Sequence, residues 1–444
     1  MKKYTLPIVH LVDTEGPFFE PIEETFDQLK NFYNINIKPT RENLSKIQKG
    51  DLVPGKYRNQ IMKRFSKHRI TYNKSWSDID KMCEKLFSKE WRYDLTKNKN
   101  NPYQINWNCL DQIGLIHNSR RRQLGPNIIY KYYENQINNN KLHWDRLYWH
   151  YHPIAFSQNN IRTGTSLNFY PLHYKSLCYR IIDCLNFPSV FRPGFHIERT
   201  DLNLFLEQWI PFDYGNQNSN DDRPTNSGRF HNWDGATKEW EVYNPSIKDP
   251  RKPGVLSRSI ARTLNIGTDF NCLTEDEIYK AFKRCQKGLP TILAYTDHDH
   301  RDMVSEIEDV VAKILYIHGE FKEHIDLKFT NAVDAMRLYR NIKEEKPIKF
   351  NVSLKNNILY VNTNKGLFGS QPFLAIKTYD ERYLHDNFCF GEDDYSFFYQ
   401  FDKDSIPVEV VEKVGIASND MTGNSTVYVL DIKNDNLLKK YFTS

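Results

Sequence analysis

The sequence predicts an α/β protein: a parallel sheet or barrel with helices outside, followed by a small antiparallel β domain. Short apolar runs alternate with amphipathic helical stripes through the first three quarters of the chain, as repeated β-α units require. After the charged stretch Lys343 to Lys346, two-residue alternation and an Asn356-Asn357 turn signal replace the helical period. A chain of 444 residues has room for two ordinary domains or one large barrel with an appendage. The boundary is predicted there, giving units 1–345 and 346–444.

The helices are legible from their faces. Ile22, Phe26, Leu29 and Tyr33 share one face, as do Ile79, Met82, Cys83, Leu86 and Phe87, with Ser77 as the expected cap. A third stripe runs from Tyr174 to Leu185, and a fourth from Leu202 to Trp209 behind Thr200 and Asp201 as caps. Thr274 and Glu277 form a capping box that opens a fifth helix, which Gly288 ends. Met303 to Ile314 and Val333 to Tyr339 give the last two.

The strand candidates are Ile8 to Val12, Val190 to Arg192, Ile210 to Phe212 and Thr291 to Tyr295 in the first unit, and Phe350 to Leu354, Ile358 to Val361, Val408 to Val414 and Val427 to Ile432 in the second. Asn-rich stretches near residues 96 to 106, 135 to 140 and 215 to 226 read as loops. In parallel α/β folds, functional groups lie just beyond the carboxyl ends of strands. Asp13, Arg192, Asp213 and the run Asp297-His298-Asp299-His300 meet that test.

Composition narrows the function classes. With 39% hydrophobic and 26% charged residues the chain is neither disordered nor membrane-embedded. A net charge of +5 without a basic tail does not favour nucleic acid as partner. The seven cysteines are scattered with no Cys-x-x-Cys pair, so free thiols in a reducing, cytoplasmic setting are expected. Leu6 to Val12 is short, interrupted by His10 and followed by Asp13, which suits a first strand better than a signal peptide. No window approaches a membrane span.

Four clusters offer chemistry. Asp13-Thr14-Glu15 sets two carboxylates directly after an apolar run, one able to ligate metal and the other to act as base, although an acid here can also cap a helix. His150-Tyr151-His152 puts two imidazoles on one face of an extended segment, where both reach a common ion or pack as an ordinary pair. Arg192-Pro193-Gly194 leaves a strand through a turn, with an arginine that can hold a carboxylate bidentately or lie solvated. Asp297-His298-Asp299-His300 alternates imidazole and carboxylate, and a histidine paired with aspartate has the raised pKa that suits a general acid. His10 reads as structural. There is no Gly-x-Ser-x-Gly elbow, Walker A sequence or Gly-x-Gly-x-x-Gly, which removes the commonest signals for serine hydrolases, P-loop enzymes and dinucleotide binding.

Taken in order, Asp13-x-Glu15, His150-x-His152-Pro153, Arg192-Pro193-Gly194 and Asp297-His298-x-His300 resemble the motif series of the polysaccharide deacetylases, the NodB-like carbohydrate esterases. The resemblance spans roughly residues 5 to 340 through short motifs. It implies a distorted (β/α) barrel of the polysaccharide deacetylase type, with a divalent metal, usually zinc, held by one carboxylate and two histidines. By that match Asp13 is the base, Glu15 the metal carboxylate, His152 and the nearby His150 the metal histidines, Arg192 the residue that orients the base and His298 the acid, with His300 its alternative. The family's two metal histidines are usually four apart, and here Tyr148 occupies that earlier position. The resemblance implies removal of an acyl group, N-acetyl foremost, from a saccharide or glycan precursor. The rival expectations are a metal-independent glycoside hydrolase using Asp13 or Glu15 with Asp213, an inactive glycan-binding barrel, and other metal hydrolases such as phosphoesterases.

Overall fold

The computed structural model describes residues 3–111, 125–152, 172–198, 200–220, 233–268, 270–432 and 436–443. One large sheet collects β1 (Tyr4–Thr14), β2 (Ile105–Leu110), β3 (Arg146–Tyr151), β4 (Val190–Pro193), β5 (Phe212–Asn216), β6 (Val242–Tyr243), β7 (Ser259–Arg262), β8 (Leu264–Asn265), β9 (Leu293–His298) and β10 (Ile325–Phe329). The order is β6-β7-β5-β4-β3-β2-β1-β9-β8, with β10 along the N-terminal half of β1. Apart from the antiparallel β6–β7 pair, the strands run parallel. Only Thr263 separates β7 from β8, yet β7 pairs with β5 while β8 pairs with β9. The sheet therefore curls until both of its edges meet the same stretch of chain.

Side-chain alternation assigns the two faces. Val9, Leu11, Tyr148, Val190, Phe212, Tyr214, Ala261 and Ala294 come from six strands and meet in one buried cluster with Ala332, Val333 and Met336 of the helix Ala332–Arg340. A cluster fed from strands all along a curled sheet lies on its concave side, and this helix plugs it. The alternate residues Ile8, Val12, Trp107, Cys109, Leu293 and Tyr295 face outward onto the helices Trp76–Leu86, Glu275–Gln286 and Val304–Phe321.

Nine further strands build two antiparallel sheets: β11 (Phe350–Lys355), β12 (Ile358–Thr363), β13 (Phe373–Thr378), β14 (Tyr383–Asp386), β15 (Cys389–Phe390), β16 (Ser396–Gln400), β17 (Val411–Asn419), β18 (Ser425–Asp431) and β19 (Asn436–Thr443). Phe350, Leu359, Val361, Phe397 and Tyr399 of one sheet pack on Leu374, Ile376, Val414, Ile416, Tyr428 and Leu430 of the other. The opposite face of the second sheet, through Phe373, Ala375, Ala417, Val427 and Val429, packs on the helices Leu172–Cys184 and Thr200–Trp209. Asn356 and Asn357 both adopt positive φ, 51° and 58°, in the tight β11–β12 turn, as a two-residue hairpin demands.

Several expected boundaries are corrected. Ser75, not Ser77, caps the helix at Trp76, because its hydroxyl accepts from Asp78 N while the Asp78 carboxylate returns to the cap backbone. The strand expected at Ile210 starts at Phe212 and runs to Asn216, so Asp213 and the stretch 215–216 lie within it. The Asn-rich loop near 96 to 106 gives way to β2 at Ile105, and residues 135 to 140 are the last turns of the helix Ile128–Asn140. The strand expected from Val408 begins at Val411 after a 3-10 turn. Thr200 and Asp201 are the first residues of their helix, not residues before it. No helix among the described residues is long and apolar enough to cross a membrane.

Candidate metal centre

The alternation that builds the concave cluster also aims the polar groups. Two residues beyond Leu11 stands Asp13; beyond Tyr148 stand His150 and His152; beyond Val190 stands Arg192; beyond Ala294 stand Thr296 and His298. The apolar floor thus continues into a buried polar ring at the carboxyl ends of the strands. Pro153 lies outside the described residues.

Asp13 has no exposed surface, and Arg192 holds it with two bonds, Nε to Oδ1 at 3.2 Å and Nη2 to Oδ2 at 2.9 Å. The side-on fork fixes the carboxylate plane. Burial works to raise the Asp13 pKa, but Arg192 first, then His150 and His298, outweigh it and hold the carboxyl well below the usual range. Arg192 is anchored in turn by donating to the Tyr214 carbonyl and to Thr296 Oγ1.

Glu15, His150 and His152 present their donor atoms to one point. His150 Nε2 lies 2.9 Å from His152 Nε2 and 3.5 Å from Glu15 Oε1, and His152 Nε2 lies 3.3 Å from the same oxygen. A tetrahedral ion with bonds of about 2.0–2.2 Å needs donors about 3.3–3.6 Å apart. The two carboxylate edges meet that spacing, and the histidine pair is a few tenths closer. His150 Nδ1 donates to the Arg192 carbonyl at 3.1 Å, which leaves the Nε2 lone pair for a ligand, as metal-binding histidines are commonly arranged. Burial is the main cause that lowers the His150 pKa to about 3, so the ring is neutral. Asp13 approaches His150 from the other nitrogen, Nδ1, at 3.6 Å. Tyr148, at the position where the family resemblance expects a histidine, belongs to the apolar floor.

His298 Nε2 stands 3.9 Å from Asp13 Oδ2, and its side chain, 16% exposed, is the most open of these six. His300 packs on Phe18 and Tyr72, with ring centroids 5.0 and 5.7 Å away, and its ring also lies 4.9 Å from that of His298. The expected carboxylate partner that would raise the pKa of His298 is not found in its own run. Asp297 faces outward, accepting from the His298 backbone N and from Arg301. Asp299 accepts instead from Glu15 N at 2.7 Å, Gly16 N at 3.0 Å and the Tyr133 hydroxyl at 2.8 Å. Burial, opposed by Asp13 but helped by Arg301, lowers the His298 pKa to about 3.

Asp213 is excluded as a partner acid for Asp13 or Glu15. It lies between Phe212 and Tyr214 of the concave cluster and so faces the other way, onto Arg258, which also binds Glu198 and Asn203. Sequence reasoning named Asp299 as a partner for its neighbouring histidines and not for the role it has, pinning the loop that carries Glu15, and it missed Asn108, which lies opposite Asp13 in the β1–β2 register. It also left His196 without a role, although the ring accepts from Arg192 Nη2 at 3.3 Å. Asp111, immediately beyond β2, is tied to Ser176 and Arg180 and braces the helix Leu172–Cys184.

No family model and no curated protein matches the chain. Among solved structures, a Parabacteroides distasonis protein described as a "putative glycoside hydrolase/deacetylase" aligns over 92% of this chain and 89% of its own, at 12% identity and a TM-score of 0.38. That degree of likeness carries no argument about fold or activity.

Proposed function

We propose that the protein is a metal-dependent hydrolase that removes an acyl group, N-acetyl foremost, from a saccharide, on a barrel of the polysaccharide deacetylase type. The observation that carries this reading is the meeting of three neutral or anionic donors, Glu15, His150 and His152, beside an Arg192-held Asp13. One carboxylate and two imidazoles suit zinc. A divalent ion held by these residues would polarise the acyl carbonyl and acidify the attacking water.

The chain's own groups supply the proton traffic. Asp13 stays ionised because Arg192 outweighs burial, so it takes the water proton at a carboxylate oxygen. Arg192 keeps that carboxylate from rotating. His298 is neutral at rest, and Asp13 Oδ2 lies 3.9 Å from its Nε2. A proton gained by Asp13 therefore has His298 as its next carrier, and His298 delivers it to the leaving amine.

The test measures acetate released from N-acetylglucosamine oligomers together with elemental analysis of the purified protein. Asp13→Asn is expected to lower kcat by about 10²–10⁴-fold with metal content retained, whereas His152→Ala is expected to lose the metal. Full activity in Asp13→Asn, or in metal-free protein, sinks the mechanism. Saccharide binding without acetate release instead supports the inactive binder.

A further inference from the structure

His196 is placed more deliberately than a loop residue needs to be. It ends the 3-10 turn Gly194–His196 that follows Arg192-Pro193, and its φ is 57°, a left-handed conformation uncommon for a residue with a Cβ. Such positions persist where surroundings over-determine them, and they cluster at functional sites. Here the Trp233 indole N–H donates to the His196 carbonyl at 2.8 Å, and the ring meets Phe270 at a centroid distance of 6.2 Å. The residue is 9% exposed.

The ring's tautomer follows from its partner. Arg192 Nη2 lies 3.3 Å from His196 Nδ1, and a guanidinium can only donate. Nδ1 therefore carries the lone pair, and the ring proton sits on Nε2. No described residue accepts from that Nε2–H. The same Arg192 Nη2 that binds the His196 ring also binds Asp13 Oδ2 at 2.9 Å, so the ring borders the same centre. This Nε2 is not one of the buried polar atoms left unpaired, so the donor is open to an incoming acceptor.

We propose that His196 Nε2–H is a substrate-binding donor, hydrogen-bonding an acceptor oxygen of the saccharide beside the group to be removed. The inference rests on the reading of the centre as a saccharide hydrolase and adds the residue that recognises the sugar. Arg192 then has two duties: it orients Asp13, and through Nη2 it fixes the tautomer of the recognising histidine.

His196→Asn separates recognition from folding. Asparagine tolerates left-handed φ, its Oδ1 can replace Nδ1 as the acceptor for Arg192, and nothing in it reaches the place of Nε2–H. With N-acetylglucosamine oligomers as substrate, KM is expected to rise about tenfold, the worth of one neutral hydrogen bond, while kcat changes far less. Metal content and Tm should match the unaltered protein. If the asparagine lowers Tm, His196→Gly, which relaxes the backbone, carries the same expectation. An unchanged KM, or a fall in kcat alone, overturns the assignment and leaves the hydrolase reading standing. Absence of acetate release by the unaltered protein overturns both.

Discussion

The imidazole of His10 lies three residues before Asp13, yet alternation sends it outward with Ile8 and Val12, between Tyr103 and Tyr295. Its Nδ1 lies 2.8 Å from the Tyr103 hydroxyl and its ring stacks on Tyr295 at 4.9 Å. Burial, aided by Arg92, lowers its pKa to about 3. Below pH 6.5 the unfolded chain protonates this histidine and the folded chain does not, so stability is lost as pH falls from 6.5 towards 3. Each pH unit in that window costs about 1.4 kcal/mol for one such group. His10→Gln, which keeps an acceptor for Tyr103, is expected to flatten urea-unfolding stability against pH by that slope. An identical slope in both proteins would show that His10 does not set it. Residue identities in the ring were legible because strand-end position singled out Asp13, Arg192 and His298. The parity that sends Asp213 and Asp297 outward was not, because it depends on where each strand begins. Local pairing misled at His298, where the adjacent aspartates serve other partners and burial dominates the charge state.

At the scale of elements, the centre depends on how loops from different strands hold one another. Glu15 follows β1, and the carboxylate of Asp299 after β9 receives the backbone N–H groups of Glu15 and Gly16. Gly194 after β4 clears space for His152 after β3: a Cβ there would sit 2.7 Å from the His152 Cα and closer still to its ring. The glycine in Arg192-Pro193-Gly194 is thus required by a neighbour, beyond the turn that the sequence suggested. Asp299→Ala is expected to weaken metal affinity about 10–100-fold, the usual effect of losing a group that orients a ligand, with a near-normal circular dichroism spectrum. Isothermal titration with zinc checks this, and an unchanged affinity would show that the loop holds itself. Like β3, β7 and β10, β2 was not among the expected strands, and its first residues, Ile105 and Asn106, fell in a stretch read as an Asn-rich loop. Asn106 instead donates to the His10 carbonyl and accepts from Ala332 N inside the sheet's curl. Amides satisfied by backbone can occupy a concave face that periodicity expects to be apolar.

For the whole molecule, the described strands before the charged stretch at 343–346 belong to the large, mostly parallel sheet and those after it to antiparallel sheets, and the sequence said nothing about how these parts pack. The sheet containing β13, β17 and β18 is buried on both faces. Leu374, Ile376, Val414 and Ile416 fill the sandwich, while Phe373, Ala375, Ala417, Val427 and Val429 cover Leu177, Ile181, Phe205 and Trp209. Glycine at 415 permits this approach, since a Cβ there would meet Ile182 Cγ1 at 3.2 Å and Ile181 more closely. One of the helices so covered, Leu172–Cys184, also carries Ser176 and Arg180, which bind Asp111 immediately beyond β2, so the C-terminal sheet supports the frame around the centre. Burying each large apolar side chain contributes about 1.5–3 kcal/mol, and removing the sheet uncovers several at once. A chain ended after Glu345 is therefore expected to lose about 10 °C or more in Tm, or to aggregate through the uncovered helices. The intact protein should unfold in a single calorimetric transition. Two separable transitions, with a truncated chain as stable as the first, would show instead that the two units fold independently and that the shared face contributes little.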